Sequence, residues 1–421
     1  MLCRRVQSNR YHARMSDPLI PPTPQLSTAL IHHPYKPPVG FEAIPPAVHK
    51  ASTVIFPDVA ALRGRDWRHK TGYTYGLHGT PTTFLLEERI ASLEGGTHCT
   101  LVPSGLAAVV LVGMALLKCG DELLIPDNAY GPNKAFADGE LAAWGVTHQY
   151  YDPMNPADLA AKLSPKTRLV WLEAPGSITL EFPDLPALCA VVKAHANGHP
   201  PGAVTALDNT WGAGIAFNAF EMGADISAHA LTKYPSGGAD VLMGSVVTRN
   251  EALHHLIHFC HMRVGYGVSG NDAELVLRGL NTIALRYAAQ DIATRSVATW
   301  MQSQPQVASV LHPAIPGSPG HAIFKRVCTA AACLFSVVFK PEFTQMQVDY
   351  FCDSLQLFKL GFSWAGPMSL CAPYDVPSLR TTPWPYQGGL VRFSVGLEAV
   401  ADLQADLAQA LLKMNQGDAL Q

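Results

Sequence analysis

The chain has 421 residues, 48% hydrophobic and 15% charged. Disorder is excluded, and at about 150 residues per domain two or three domains with a large buried core are expected. A formal net charge of −3 supplies no basic footprint for a nucleic acid or an anionic membrane, so a small-molecule enzyme is the class that remains.

Arg4, Arg5, Arg10 and Arg14 open the chain without an accompanying acid. They suit a weak organellar address, but no apolar signal core follows, and translation from Met15 accounts for them equally well. From Ser16 to about Val48 prolines recur without period, which removes backbone donors and predicts an extended arm with no helix or central strand. Such an arm lies across a partner subunit or is a disordered leader.

From about Phe84 the pattern alternates. Phe84–Leu93, Leu106–Leu117 and Pro132–Trp144 read as helices, and Glu122–Pro126, Val146–Tyr151, Arg168–Glu173, Val204–Asp208, Asp225–Ala230 and Val241–Thr248 as strands. That order predicts a doubly wound α/β unit with a mostly parallel sheet and ligands outside the carboxyl ends of its strands. The longest apolar run, Leu106–Leu117, is too short to span a bilayer. From about Ser269 the character changes to a long helical stretch (Ala273–Gln302), strands near Cys333–Phe339 and Leu390–Val395, and a closing helix at Ala399–Lys413, which predicts a smaller α+β domain. The expected division is an arm over 1–72, a large domain over 73–268 and a C-terminal domain over 269–421.

Nine scattered cysteines form no C-x-x-C pair and read as reduced, mostly buried thiols of a cytosolic protein. A Walker-type loop, G-x-S-x-G and H-E-x-x-H are all absent. His254, His258 and His261 share one helical face but have no carboxylate or thiol at ligand spacing, so a polar helix face is expected there and no metal.

Three polar residues end apolar strand-like runs: Glu173, Asp208 and Lys233. Singly, each reads as a cap or a solvated strand end; in a doubly wound sheet they converge on one edge. A lysine beside an apolar strand and a carboxylate 25 residues earlier (233 − 208) match a pyridoxal phosphate site, which needs an amine for a Schiff base and an anion for the pyridinium nitrogen. That ion pair is worth about 4 kcal/mol at about 4 Å in an effective dielectric near 20, enough to keep the ring protonated. Pro103-Ser-Gly-Leu-Ala-Ala108 opens the buried helix with a glycine turn, whose free N–H groups suit a phosphate.

At these residues the chain resembles the cystathionine-metabolising (trans-sulfuration) family of fold-type I pyridoxal phosphate enzymes, an aspartate-aminotransferase-like fold. The resemblance runs from about Tyr73 to the C-terminus. Its segments are Tyr75-Gly-Leu-His-Gly-Thr-Pro81, Leu93-Glu-Gly-Gly96, Pro103-Ser-Gly-Leu106, Asn128-Ala-Tyr-Gly-Pro132, Glu173-Ala-Pro-Gly-Ser177, Leu207-Asp-Asn-Thr-Trp211, Leu231-Thr-Lys-Tyr234, Ser363-Trp364 and Leu390-Val-Arg-Phe-Ser-Val-Gly-Leu-Glu398. It implies that Lys233 carries pyridoxal 5'-phosphate covalently and acts as general base, that Asp208 pairs with the ring nitrogen, and that Tyr130 stacks on the ring. Gly105, Leu106 and the Thr232 hydroxyl would hold the phosphate, joined by Tyr75 from a neighbouring subunit. Arg392 would bind the substrate α-carboxylate, with Ser363 and Trp364 beside it.

Glu173-Ala-Pro-Gly-Ser177 and Ala230 are similar to the β-lyase branch of the family. The resemblance therefore implies a carbon–sulfur lyase of methionine biosynthesis that splits cystathionine to homocysteine, pyruvate and ammonia, cytoplasmic, and a homotetramer built from active dimers. Alternatives are a broader cysteine-conjugate lyase, a γ-acting relative, or a pyridoxal-phosphate-binding regulator. Two positions depart from the family pattern: Leu77 stands where an arginine usually reaches the phosphate, and His261 where similar β-lyases can carry an active-site tyrosine.

Overall fold

A computed structural model describes residues 25–32, 39–40, 43–67, 69–198 and 202–414. Of the expected arm over 1–72, residues 1–24, which include the arginine-rich opening, and 33–38, 41–42 and 68 lie outside these residues.

The first part of the chain carries α1 (Leu26–Ile31), α2 (Val59–Arg63), α3 (Pro81–Glu94), β1 (His98–Val102), α4 (Gly105–Leu116), β2 (Glu122–Pro126), α5 (Gly131–Phe136), β3 (Thr147–Tyr151), α6 (Pro156–Lys162), β4 (Thr167–Glu173), α7 (Leu185–Gly198), β5 (Val204–Asp208), β6 (Ile226–His229), β7 (Gly244–Thr248) and α8 (Glu251–Val264). The strands form one seven-stranded sheet in the order β1-β7-β6-β5-β4-β2-β3. The run from β6 to β3 is parallel, as the alternation of strands and helices requires. β7 is antiparallel to both neighbours, so the sheet is mixed at that edge.

The rest comprises α9 (Gly270–Leu280), α10 (Ile283–Gln302), β8 (Val307–Leu311), α11 (His321–Val327), β9 (Leu334–Phe339), α12 (Gln345–Ser354), β10 (Lys359–Leu360), β11 (Leu370–Tyr374), α13 (Val376–Leu379), β12 (Leu390–Ser394) and α14 (Val400–Met414). Its five strands make a second sheet, β10-β11-β12-β9-β8, antiparallel except between β10 and β11.

Three expectations need correction. A short helix, α1, does form inside the proline-rich stretch, because Gln25–His33 is a proline-free window between Pro24 and Pro34; its Leu30 is buried in the main core. The expected single helix over 273–302 is two, broken at Asn281 and Thr282. The helix expected over Pro132–Trp144 is wound as a π-turn at Ala137–Leu141.

Packing divides into three apolar clusters. α4 is buried against β2, β4 and β6 through Val109, Leu111 and Val112, which explains why it reads as apolar all round. Ala273, Val276, Leu277 and Leu280 of α9 join the core of the first sheet. From Ala293 onward α10 packs on the second sheet with Phe335, Phe393 and Leu407. Among the described residues no helix is long and apolar enough to cross a membrane.

Candidate active site

β4 and β5 pair in register so that Glu173 lies directly beside Asp208, and Lys233 follows β6, the next strand over. All three carboxyl ends therefore open on one cavity of about 640 Å³, between the two sheets. Of the residues that the sequence singled out, the structure brings Lys233, Asp208, Tyr130, Gly105, Leu106, Thr232, Arg392, Ser363 and Trp364 to its wall, together with Glu173 and Ala230. Tyr75 is not among them. It is 47% exposed, on the turn before α3, away from the cavity wall. His261 is not on the wall either: it is buried in α8, with Nε2 2.7 Å from the Tyr266 carbonyl oxygen.

The Lys233 amine donates to Ser363 Oγ at 2.6 Å and lies 5.5 Å from the centre of the Trp364 ring. Burial and then the Arg392 charge lower its pKa to about 8, against the weaker pull of Asp208. Asp208 accepts the Thr210 N–H at 3.0 Å and the Thr210 hydroxyl at 2.5 Å. Burial pushes its carboxyl up, while Thr210, His229 and Lys233 act the other way. Glu173 accepts the Tyr130 N–H at 2.7 Å and so anchors Tyr130; burial and the adjoining Asp208 raise its pKa strongly. Arg392 on β12 donates to the Ser177 carbonyl at 2.9 Å and sits 5.2 Å from the Tyr374 ring centre. Among the described residues no carboxylate lies within 4.0 Å of its guanidinium, which leaves a desolvated cation facing the cavity.

Gly105 and Leu106 begin α4, capped by Ser104 Oγ, which accepts the Ala107 N–H at 3.0 Å. A Cβ on Gly105 would stand 2.5 Å from the Ala230 Cβ, so only glycine lets the helix start approach the lysine-bearing segment. Thr232 differs from expectation in one respect: its hydroxyl already bridges Met243, accepting the amide N–H at 3.1 Å and donating to the carbonyl at 3.2 Å. Donation to a phosphate requires it to release that carbonyl.

Sequence reasoning missed the layer behind Asp208. The buried Glu94 carboxylate accepts from Asn209 Nδ2 at 2.8 Å and Ser227 Oγ at 2.8 Å, and lies 2.7 Å from His229 Nδ1. Ser227 and His229 alternate on β6 and so share a face; that period of two, ending beside Leu93-Glu-Gly-Gly96, was the available signal.

A desolvated lysine, a partly buried carboxylate and a capped helix start around one cavity define a fold-type I pyridoxal phosphate enzyme. Its donor set fits the group: His229 Nε2 and Trp211 Nε1, both from wall residues, are buried polar atoms with no partner. Lys233, Asp208, Tyr130 and the α4 start would hold it. The comparisons agree. The model of the Cys/Met metabolism PLP-dependent enzymes matches residues 27–412, and the chain belongs to that family. It is 40% identical to a putative cystathionine beta-lyase of Rhizobium johnstonii over 86% of this chain and 89% of the relative. With the cystathionine beta-lyase of Salmonella typhimurium it shares 35% identity over 93% and 99%. The crystal structure of metB from Corynebacterium glutamicum superposes with a TM-score of 0.83 at 29% identity, covering 93% of this chain and 99% of that one.

The depressed amine pKa has a direct readout. In cofactor-free protein, acetylation at Lys233 is expected to rise about tenfold from pH 6 to 7 and to be half-maximal near pH 8, as the neutral amine is the nucleophile. Competitive labelling read by mass spectrometry checks this; a rate still climbing past pH 9.5 contradicts it.

Proposed function

We propose that the protein is a cytoplasmic, homotetrameric cystathionine β-lyase, releasing homocysteine, pyruvate and ammonia. The observation that carries this reading is the convergence of Lys233, Asp208 and the unpaired Arg392 on one cavity. The β-lyase names of the relatives at 35 to 40% identity support the choice of bond, as do Glu173-Ala-Pro-Gly-Ser177 and Ala230. Residues 73–268 are proposed as the cofactor-binding domain and 269–421 as the C-terminal domain.

The bound cofactor supplies an electron-withdrawing ring that accepts negative charge developing at the amino-acid Cα. Arg392 grips the α-carboxylate as a two-pronged fork and fixes which Cα bond faces Lys233. Lys233, whose lowered pKa of about 8 leaves a usable fraction of the amine unprotonated near neutral pH, takes the Cα proton, and Ser363 orients it. The Cβ–S bond then breaks, and its electron pair leaves with the thiol, which takes up a proton. The released aminoacrylate hydrolyses to pyruvate and ammonia. Asp208 would pair with the ring nitrogen, and Tyr130, held through its N–H by Glu173, would cover the ring face.

Incubation with cystathionine, cysteine and S-alkyl cysteines tests the assignment. Pyruvate is expected to predominate; predominant 2-oxobutyrate indicates a γ-acting enzyme, and no keto acid a regulator. Leu77 and Tyr75 share one turn, and Leu77 brings no charge to a phosphate held by the neighbouring subunit. Leu77→Arg is therefore expected to slow cofactor loss on dialysis about 10- to 100-fold, the equivalent of one charge-assisted hydrogen bond of about 1.5 to 3 kcal/mol. Equal retention by the two proteins refutes the proposed role of this turn.

A further inference from the structure

α8 carries two sets of histidines. His254, His258 and His261 are buried and stack face to face, with ring centroids 5.5 and 6.1 Å apart, and are spent on packing. One position round the helix, Glu251 and His255 form an i, i+4 pair on its open side. His69, from the segment ahead of α3, comes down on this pair; its ring meets His255 edge-on, with centroids 5.5 Å apart. The ligand atoms of His69, Glu251 and His255 all lie within 4.8 Å of one another.

We propose that His69, Glu251 and His255 form a divalent metal site, of the two-imidazole, one-carboxylate kind that suits Zn²⁺ with a water in the fourth position. Three observations support it. His69 Nδ1 is 2.7 Å from Asp66 Oδ2, the carboxylate–histidine pairing that fixes the tautomer and leaves the Nε2 lone pair for a metal. The group borders a pocket of about 230 Å³ that also holds His98 and His254, so an ion has room for a water ligand. The one cation on that pocket wall, Lys70, is neutralised: its amine contacts Glu87 Oε2 at 2.5 Å and the Cys99 carbonyl at 2.8 Å. Two imidazoles, the Glu251 carboxylate and the outlying Asp66 offer the nitrogen and oxygen donors that suit a dication. The ion would tie the segment leading to Tyr75 onto α8, beside the hydrogen bond between His258 and the Trp67 carbonyl at 3.3 Å and the edge-on contact of Trp67 with Phe259.

The test uses untagged holoenzyme stripped of metal, titrated with Co²⁺ as a spectroscopic probe and then with Zn²⁺ in competition. One ion per chain is expected, with visible ligand-field bands that Zn²⁺ abolishes. His255→Ala and Glu251→Gln are expected to lose about 100-fold or more in affinity, and Asp66→Asn about 10- to 100-fold, as an outer partner does. These side chains are on the open side of the fold, so thermal unfolding in chelator is the folding control. Unchanged affinity in His255→Ala, or no ion bound by the native chain at micromolar concentration, overturns the site.

Discussion

Replacing Lys233 by alanine is expected to lower the turnover of cystathionine on the order of 10⁴-fold and to leave the purified protein unable to retain its cofactor through borohydride reduction and denaturation. The proposed function gives the one amine two tasks, attachment of the cofactor and proton removal at Cα, the second worth roughly 10² to 10⁴ by itself. Lys233→Arg keeps the positive charge but supplies neither a nucleophile nor a base near neutral pH, and should fall as far as the alanine variant. The substitution is not expected to unfold the protein, because the amine is already desolvated at a cost that its lowered pKa of about 8 records. A reduced, cofactor-labelled peptide that maps to any other lysine would remove the basis for the proposed chemistry.

The second large effect is at Arg392. Its guanidinium is buried, donates to the Ser177 carbonyl, and has no acidic partner among the described residues. A buried cation costs free energy unless something pairs with it. In the proposed function the α-carboxylate of an amino acid supplies that anion. Two charge-assisted bonds to it, at about 1.5 to 3 kcal/mol each, set the loss in kcat/KM for Arg392→Met at about 10² to 10⁴, carried mainly by KM. Arg392→Lys keeps charge without the fork and is expected to recover only part of that. Cofactor retention should be unaltered in both, and thermal stability unaltered or raised in Arg392→Met, since an unpaired buried charge is removed. A Met variant with native KM would contradict the assignment.

Much of the first sheet was legible because its signals are local. β2 and β5 fall on the residues their apolar runs predict, and Glu173, Asp208 and Lys233 were visible as polar ends of such runs. What failed had non-local causes. The break at Asn281 and Thr282 leaves the 3.6-residue period almost intact on either side, so nothing in the apolar pattern marks it. α1 is six residues long and owes its stability to the burial of Leu30 rather than to propensity. The buried contacts of Glu94 join residues 115 to 135 positions apart, and Thr232 finds Met243 eleven positions away. The Glu251–His255 pair is readable from spacing alone, but His69 joins it only through the fold.

One knot of hydrogen bonds bears on how the cavity can open. Asp127, just beyond β2, accepts the N–H groups of Thr381 and Thr382 and the Thr382 hydroxyl at 2.7 to 2.9 Å, while Lys134 reaches it at 3.2 Å. Burial alone would raise its pKa, yet these donors outweigh it and hold the carboxyl at about 2. Arg380 adds an ion pair to Glu181 at 2.8 Å. Leu379, next in the chain, forms part of the cavity wall, so that wall is riveted to the first sheet rather than free to swing with the second. On the opposite rim, at Phe362–Trp364, Phe362 is 79% exposed. The cavity mouth thus runs from an edge tied down by ion pairs to one that presents an aromatic ring to solvent.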